Sequence, residues 1–174
     1  MTEEIKKGLL GIVVDETTIS QVVPELSALT YRGYKVQDLC DKCDFEEVAY
    51  LVLHGELPSK NQLKKFIKQE RSERKLSKQI LSDIKKMPKN AHPMDVIRTC
   101  VSLMALEDKD TKDNSPKANM RKAMRIFAKT PTAVAAYFRT RKGKSIIAPS
   151  KKLSFSENDK FFFGGIIFFP FLTL

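Results

Sequence analysis

Apolar positions recur along this chain at two spacings, and the change from one to the other falls near residue 44. Before it the apolar stretches are short. Ile12 to Val14 and Leu29 to Tyr31 read as strand segments, expected to pair as a small antiparallel ribbon with Pro24 in the connection. Gly33 closes the second segment as a turn, and Val36 to Cys40 is expected to make one helical turn. From Asp44 onward the spacing is helical. Phe45, Val48, Ala49 and Val52 repeat on one face, and Leu51 and Leu53 widen the stripe. A helix so apolar around its circumference is expected to be buried on more than one side. Asp44 and Glu47 have the spacing of a capping box at its start. Gly55 supplies the left-handed residue that ends it, and Pro58 keeps it from resuming.

Ser59 and Gln62 form a second capping box, opening a helix with Leu63, Phe66 and Ile67 on one face. Another helix carries Leu76, Ile80 and Ile84 and stops at Met87-Pro88. The charged run between them, Glu70 to Lys75, reads as a solvated face or a short break. His92 precedes Pro93 and is expected to cap the next helix; Pro93 fits the first helical position and Asp95 complements the positive helix end. Ile97, Cys100, Val101 and Met104 line one side of that helix. Glu107 to Ser115 is a polar loop. Ser115-Pro116 opens a helix bearing Met120, Ala123, Met124 and Phe127. Thr130-Pro131 repeats the cap-plus-proline pattern, predicting a new helix with Val134, Tyr137 and Phe138 that runs out near Gly143. Joined at Lys129-Thr130, the two would turn sharply as an antiparallel pair. The sum is a mainly α chain with a small β element near its start, and no repeat of fixed period.

The chain has 174 residues and 42% hydrophobic content, enough for one real core. Lys and Arg number 31 against 21 acids, leaving +10. That excess fits either an anionic partner or a lysine-rich solvated surface. The second is favoured, because the basic residues are spread over several helices and mixed with acids. The run from Glu70 to Lys75 has no interleaved aromatic residues, so no nucleic-acid partner is expected. The three cysteines do not suggest a disulfide framework, and a reducing cytoplasm is the default. The start, MTEEIKKG, has no apolar signal core.

Four groups of side chains raise chemical possibilities. Cys40 and Cys43 form a CxxC pair, readable as a redox dithiol, half a zinc site or incidental helix-turn cysteines. With Cys100 isolated on a helix face and no second pair, zinc is short of ligands, and the incidental reading is preferred. Asp108, Asp110 and Asp113 invite a calcium reading that fails: Lys112 takes a ligand position, and the turn glycine and distal glutamate are missing. No metal is expected. Arg139, Arg141, Lys142 and Lys144 make the best anion cluster, but without a glycine-rich cradle they read first as favourable charge at a helix C-terminus. His54, at another helix C-terminus, is expected to be partly charged and mildly stabilising there.

Tyr31-Arg32-Gly33-Tyr34, Phe45-Glu46-Glu47-Val48-Ala49-Tyr50-Leu51 and His54-Gly55-Glu56-Leu57-Pro58 resemble the N-terminal part of the citrate synthase family. Gly8-Leu9-Leu10-Gly11-Ile12-Val13-Val14-Asp15, with Thr18-Ile19-Ser20, is more similar to its 2-methylcitrate synthase branch. His92-Pro93-Met94-Asp95, Arg98-Thr99, Ala128-Lys129-Thr130-Pro131-Thr132 and Leu153-Ser154-Phe155-Ser156-Glu157-Asn158 continue the resemblance in order. It implies part of a large helical domain over residues 1–158. For an intact member it implies condensation of an acyl-CoA with oxaloacetate: an Asp takes the α-proton, one His stabilises the enol, a second polarises the ketone, and arginines hold carboxylates. In the family those residues lie downstream of the matched stretch. The two histidines here, His54 and His92, match scaffold motifs. The expectation is therefore no catalytic residue, no bound cofactor and no condensing activity in this chain alone, with acyl-CoA a substrate of the intact enzyme. Arg139 or Arg141 meeting CoA phosphates stays open. The expected partner is a second copy or a full-length homologue.

After Asn158 the resemblance stops. Residues 159–174, DKFFFGGIIFFPFLTL, hold six of the 11 phenylalanines, broken by Gly164-Gly165 and Pro170. The run is too short for a spanning helix, which needs about 20 apolar residues. It also lacks the polar face of an interfacial helix, so no membrane partner is expected. It reads as out-of-frame or otherwise non-family sequence.

Overall fold

Three short strands and seven helices follow one another along residues 8, 11–24 and 28–162, which the computed structural model describes. The chain divides into two units, Met1–Leu57 and Pro58–Leu174.

In the first unit, β1 (Ser20–Val23), β2 (Ala28–Tyr31) and β3 (Tyr34–Lys35) form an antiparallel meander. Tyr31 pairs with Tyr34 across Arg32 and Gly33, whose φ angles of 50° and 86° are both positive, as a type I′ hairpin turn requires. The partner of β2 differs from the expectation. Ser20–Val23, not Ile12–Val14, pairs with it, Val22 opposite Leu29. Two features select the later segment. Closing a loop across a handful of residues costs less entropy than closing the longer one from Val14. Arg32 also fixes the register: its amide donates to Ile19 O at 2.8 Å and its Nη1 to Thr18 Oγ1 at 2.6 Å. Val13 and Val14 stay exposed.

Helix α1 (Val36–Lys42) follows β3 directly, then α2 (Phe45–His54). The capping box of α2 forms, with Glu47 accepting the Asp44 amide at 2.8 Å. Gly55 ends the helix at φ 92°. Arg32 reaches the same helix end, donating from Nε and Nη2 to Val52 O. One arginine thus ties the sheet to a helix carbonyl left over at the C-terminal turn.

The second unit holds α3 (Lys60–Glu73), α4 (Lys78–Lys86), α5 (Pro93–Glu107), α6 (Pro116–Arg141) and α7 (Phe155–Phe162). Ser59, Ser77, His92 and Ser115 each cap a helix through a side-chain acceptor. Leu76, Ile80 and Ile84 pack against Val96, Cys100 and Met104 of α5 and Ala133, Ala136 and Tyr137 of α6. Burying each of the Leu, Ile, Val and Met side chains in this cluster contributes about 1.5–3 kcal/mol. The small residues Ala133 and Ala136 let α6 approach its neighbours, and Tyr137 Oη donates to Pro88 O at 2.8 Å, so the buried hydroxyl is satisfied. On α5 the buried face is centred on Val96 and Cys100, with Ile97 at its margin.

No break occurs at Lys129-Thr130, which corrects the expectation of two helices. α6 runs through Pro131 for 26 residues. Proline removes an amide from the helix ladder at a cost of about 3 kcal/mol. Here the apolar face continues across it, from Met124 and Ala128 to Ala135 and Ala136. The Thr130 hydroxyl donates to Ile126 O at 2.7 Å. Tertiary burial outweighs the local signal.

Helix α7 passes Asn158 without interruption, and Phe162 is buried against Ala135. The rest of the phenylalanine-rich run, 163–174, lies outside the described residues. No helix among the described residues is long and apolar enough to cross a membrane.

Candidate functional site

His92 Nδ1 accepts the Met94 amide at 3.2 Å, so its imidazole is the N-cap of α5, as expected. His54 stacks on Tyr50, one turn earlier on α2, with ring centroids 4.1 Å apart. Partial burial pushes its pKa below the ordinary histidine value, outweighing the nearby Glu56 carboxylate. The expectation of a partly charged imidazole is therefore corrected: desolvation against Tyr50 and the end of α2 favours the neutral ring at neutral pH.

The aspartates of the polar loop are held by arginines of α6. Arg125 makes a two-point contact with Asp108, Nε to Oδ2 at 2.7 Å and Nη2 to Oδ1 at 2.8 Å, and also meets Asp110. Arg121 grips Asp110 from the other side at 3.0 and 2.7 Å. Burial works against the Asp108 carboxylate, but Arg125 and the Asp110 amide outweigh it and the net shift is downward. Asp110 is held far below the usual carboxylate range by Arg121 and Arg125. Asp113 accepts the Ser115 amide at 2.8 Å and so closes the turn into α6. Among the described residues, no three His, Cys, Asp or Glu side chains come together as a metal site.

A cavity of about 230 Å³ lies beside this network, with Val101, Met104 and Ala105 on its apolar wall and Arg125, Lys122 and Lys129 on its rim. That is smaller than the roughly 300–1,000 Å³ usual for small-molecule sites. Lys122 is already bonded to Asp113 O at 2.7 Å.

The basic cluster at the end of α6 is only partly available. Arg139 donates to Ser145 O and, at 3.2 Å, to Phe162 O. Arg141 lies over the Tyr137 ring, 5.6 Å from its centroid. Lys142 and Lys144 are exposed.

The sequence reading missed the most buried polar group. Glu70 and Arg74 are 0% and 2% exposed, although the run Glu70 to Lys75 was expected to be solvated if it did not break the helix. Arg74 donates to both carboxylate oxygens of Glu70 at 2.7 Å. Its Nη1 also donates to Ser150 O at 2.8 Å and Leu153 O at 3.0 Å, while its own carbonyl accepts from the Thr132 hydroxyl. Asn158 Oδ1 completes the arrangement by accepting the Ser150 amide at 2.8 Å. The guanidinium thus joins the end of α3 to the 150–153 segment, and Thr132 and Asn158 brace the backbone on either side of that contact. The Glu-x-x-x-Arg spacing signals the pair, but on an exposed helix it looks the same.

Comparison with known proteins places this scaffold. Residues 8–160 match the family model described as "Citrate synthase, C-terminal domain". The chain belongs to the citrate synthase family. Among curated members of the family, it is 49% identical to 2-methylcitrate synthase of Mycobacterium tuberculosis over 155 residues, 89% of this chain and 39% of that protein. With citrate synthase of Mycolicibacterium smegmatis the identity is 47%, over 88% of this chain and 41% of the relative. The crystal structure of citrate synthase from Pyrobaculum aerophilum superposes with a TM-score of 0.84 at 29% identity, covering 90% of this chain and 42% of that one. The mainly α fold with a small sheet is thus a citrate synthase fold. The chain spans about two fifths of the length of these citrate synthase relatives.

Proposed function

We propose that this chain is scaffold from the large helical domain of a citrate or 2-methylcitrate synthase, an acyltransferase that in intact form condenses an acyl-CoA with oxaloacetate. The observation behind this reading is the family match over residues 8–160 set against a coverage of 39% of the 2-methylcitrate synthase relative. Both histidines are engaged at helix ends: His92 as a cap, His54 stacked and driven toward neutrality. Proton transfer to and from an enolising thioester needs a positioned acid and base, and neither helix end supplies that pair. On this reading the chain holds no catalytic residue and no cofactor of its own, and acyl-CoA is a substrate of the whole enzyme.

The test is thiol release by the purified chain given oxaloacetate with acetyl-CoA or propionyl-CoA. The expected rate is background; turnover clearly above it would overturn the proposal. A chimaera in which residues 8–158 replace the matching stretch of a 2-methylcitrate synthase is the positive arm, and it is expected to condense both substrates. In the cytoplasm the expected partner is a second copy of the chain or a full-length homologue. Sedimentation of the chain alone, and mixed with such a homologue, distinguishes the two.

A further inference from the structure

We propose that Cys40 and Cys43 form an oxidation site that closes to an intrachain disulfide, with a peroxide as oxidant and Cys40 as the attacking thiol. The two residues bracket the end of α1, and the proposal is independent of the condensation reading. Cys40 is exposed in the last turn, and Cys43 is half-buried at the C-cap. The Cys43 amide still donates to Leu39 O at 3.0 Å, so the chain is wound on the helix up to that residue. The position of the Cys43 Cα depends on the dihedrals of residues 41 and 42, which are helical. Helix radius and rise then put the two Cα atoms about 5 Å apart, inside the roughly 4.4–6.8 Å that a disulfide spans. Beyond this point the chain leaves the helix, with Cys43 at φ −124° and ψ 144°. Cys100, the remaining cysteine, is 1% exposed in the core of the other unit.

Local electrostatics set the character of the site. Reactive CxxC pairs gain thiolate from a helix N-terminus. This pair lies at a C-terminus, where the helix dipole disfavours negative charge. Burial raises the Cys43 thiol, the Glu47 and Asp44 carboxylates raise it further, and Lys42 opposes them. The resolving step is therefore slow, and a Cys43 thiol that holds its proton tightly is a poor leaving group when the disulfide is reduced. The site behaves as a lock at the α1–α2 junction and not as an exchange catalyst.

In the first step the Cys40 thiolate attacks one peroxide oxygen, the O–O bond breaks, and the departing oxygen leaves as water after protonation. The Cys43 thiolate then attacks the sulfenic sulfur. The S–S bond forms, the S–O bond breaks, and the hydroxide leaves with the proton that Cys43 released. Two thiols lose two electrons in total, and peroxide is reduced to two waters.

Hydrogen peroxide is added to the native 174-residue chain, which is then denatured, alkylated and weighed intact. Alkylatable thiols are expected to fall from three to one, left on Cys100. The unalkylated mass should fall by about 2 Da, two hydrogens, at a rate that rises with pH. Cys40→Ser should slow peroxide consumption about tenfold by removing the exposed thiol. Cys43→Ser should leave a sulfenic acid on Cys40 that a dimedone probe captures. Cys40 passing to sulfinic acid in the unsubstituted chain would refute the proposal. So would a bridge joining two chains or a bridge to Cys100.

Discussion

Replacing Arg74 by methionine tests what holds the second unit together. Arg74 and Glu70 are 2% and 0% exposed, and among the described residues each is the other's ion-pair partner. Removing one member of such a pair leaves a buried charge and costs about 3–5 kcal/mol. The substitution also strips a donor from the carbonyls of Ser150 and Leu153. Domains of this size are stable by only about 5–15 kcal/mol, so Arg74→Met is expected to leave the unit close to its unfolding threshold. The companion variants are Glu70→Met and the double substitution. The double removes both charges and restores an apolar contact, but the two carbonyls stay unserved. It should fall about 1–3 kcal/mol below the unsubstituted chain, well above either single. Urea unfolding followed by circular dichroism gives all four values. Hydrogen exchange at the Ser150 amide, bonded to Asn158, reports on the connection before α7. An Arg74→Met cost under about 1 kcal/mol, or a double variant as damaged as the two singles summed, would refute the assignment.

Three further outcomes are expected. Asp110 has a folded-state pKa depressed by Arg121 and Arg125, so its contribution is full above its ordinary value of 3.8 and is lost as pH falls below it. Unfolding midpoints measured from pH 6 down to 2 should decline less steeply in Asp110→Asn than in the parent, as linkage requires. Gly55→Ala places a Cβ at φ 92° and should cost about 1 kcal/mol, read as a lower melting temperature for the first unit. His92→Ala removes the α5 cap at a cost of about 1 kcal/mol, while His92→Asn should restore it; equal melting temperatures for both would contradict the capping role.

What could be read from the sequence was what depends on neighbours in the chain. The boxes at Asp44 and Ser59, the cap at Ser115 and the stop at Gly55 are local chemistry and appear where the residue pattern puts them. The errors lie where distant segments decide. Thr130-Pro131 is a sound helix start taken alone, yet the packing of Ala133 and Ala136 against α4 and α5 carries the helix through it. Ile12 to Val14 has a better strand composition than Ser20 to Val23, but Arg32 reaches back to Thr18 and Ile19 and sets the pairing. Glu70 and Arg74 look like ordinary surface charge until Ser150 and Leu153 arrive to cover them. Among the chemical candidates, the aspartate loop shows in sequence only as a polar run with acids at close spacing. That its carboxylates serve Arg121 and Arg125 was not, because those partners lie 11 to 17 residues away across a turn.

The Arg74 carbonyl partners are 76 and 79 residues further along the chain. At a synthesis rate of roughly 5–20 residues per second, the ribosome needs on the order of 4–15 s to supply them. Throughout that interval α3 has been made and its guanidinium is unmet on two sides, still open to water. The Arg74 guanidinium cannot reach its final dry environment until Ser150 and Leu153 have emerged from the exit tunnel, so this corner of the molecule is completed late.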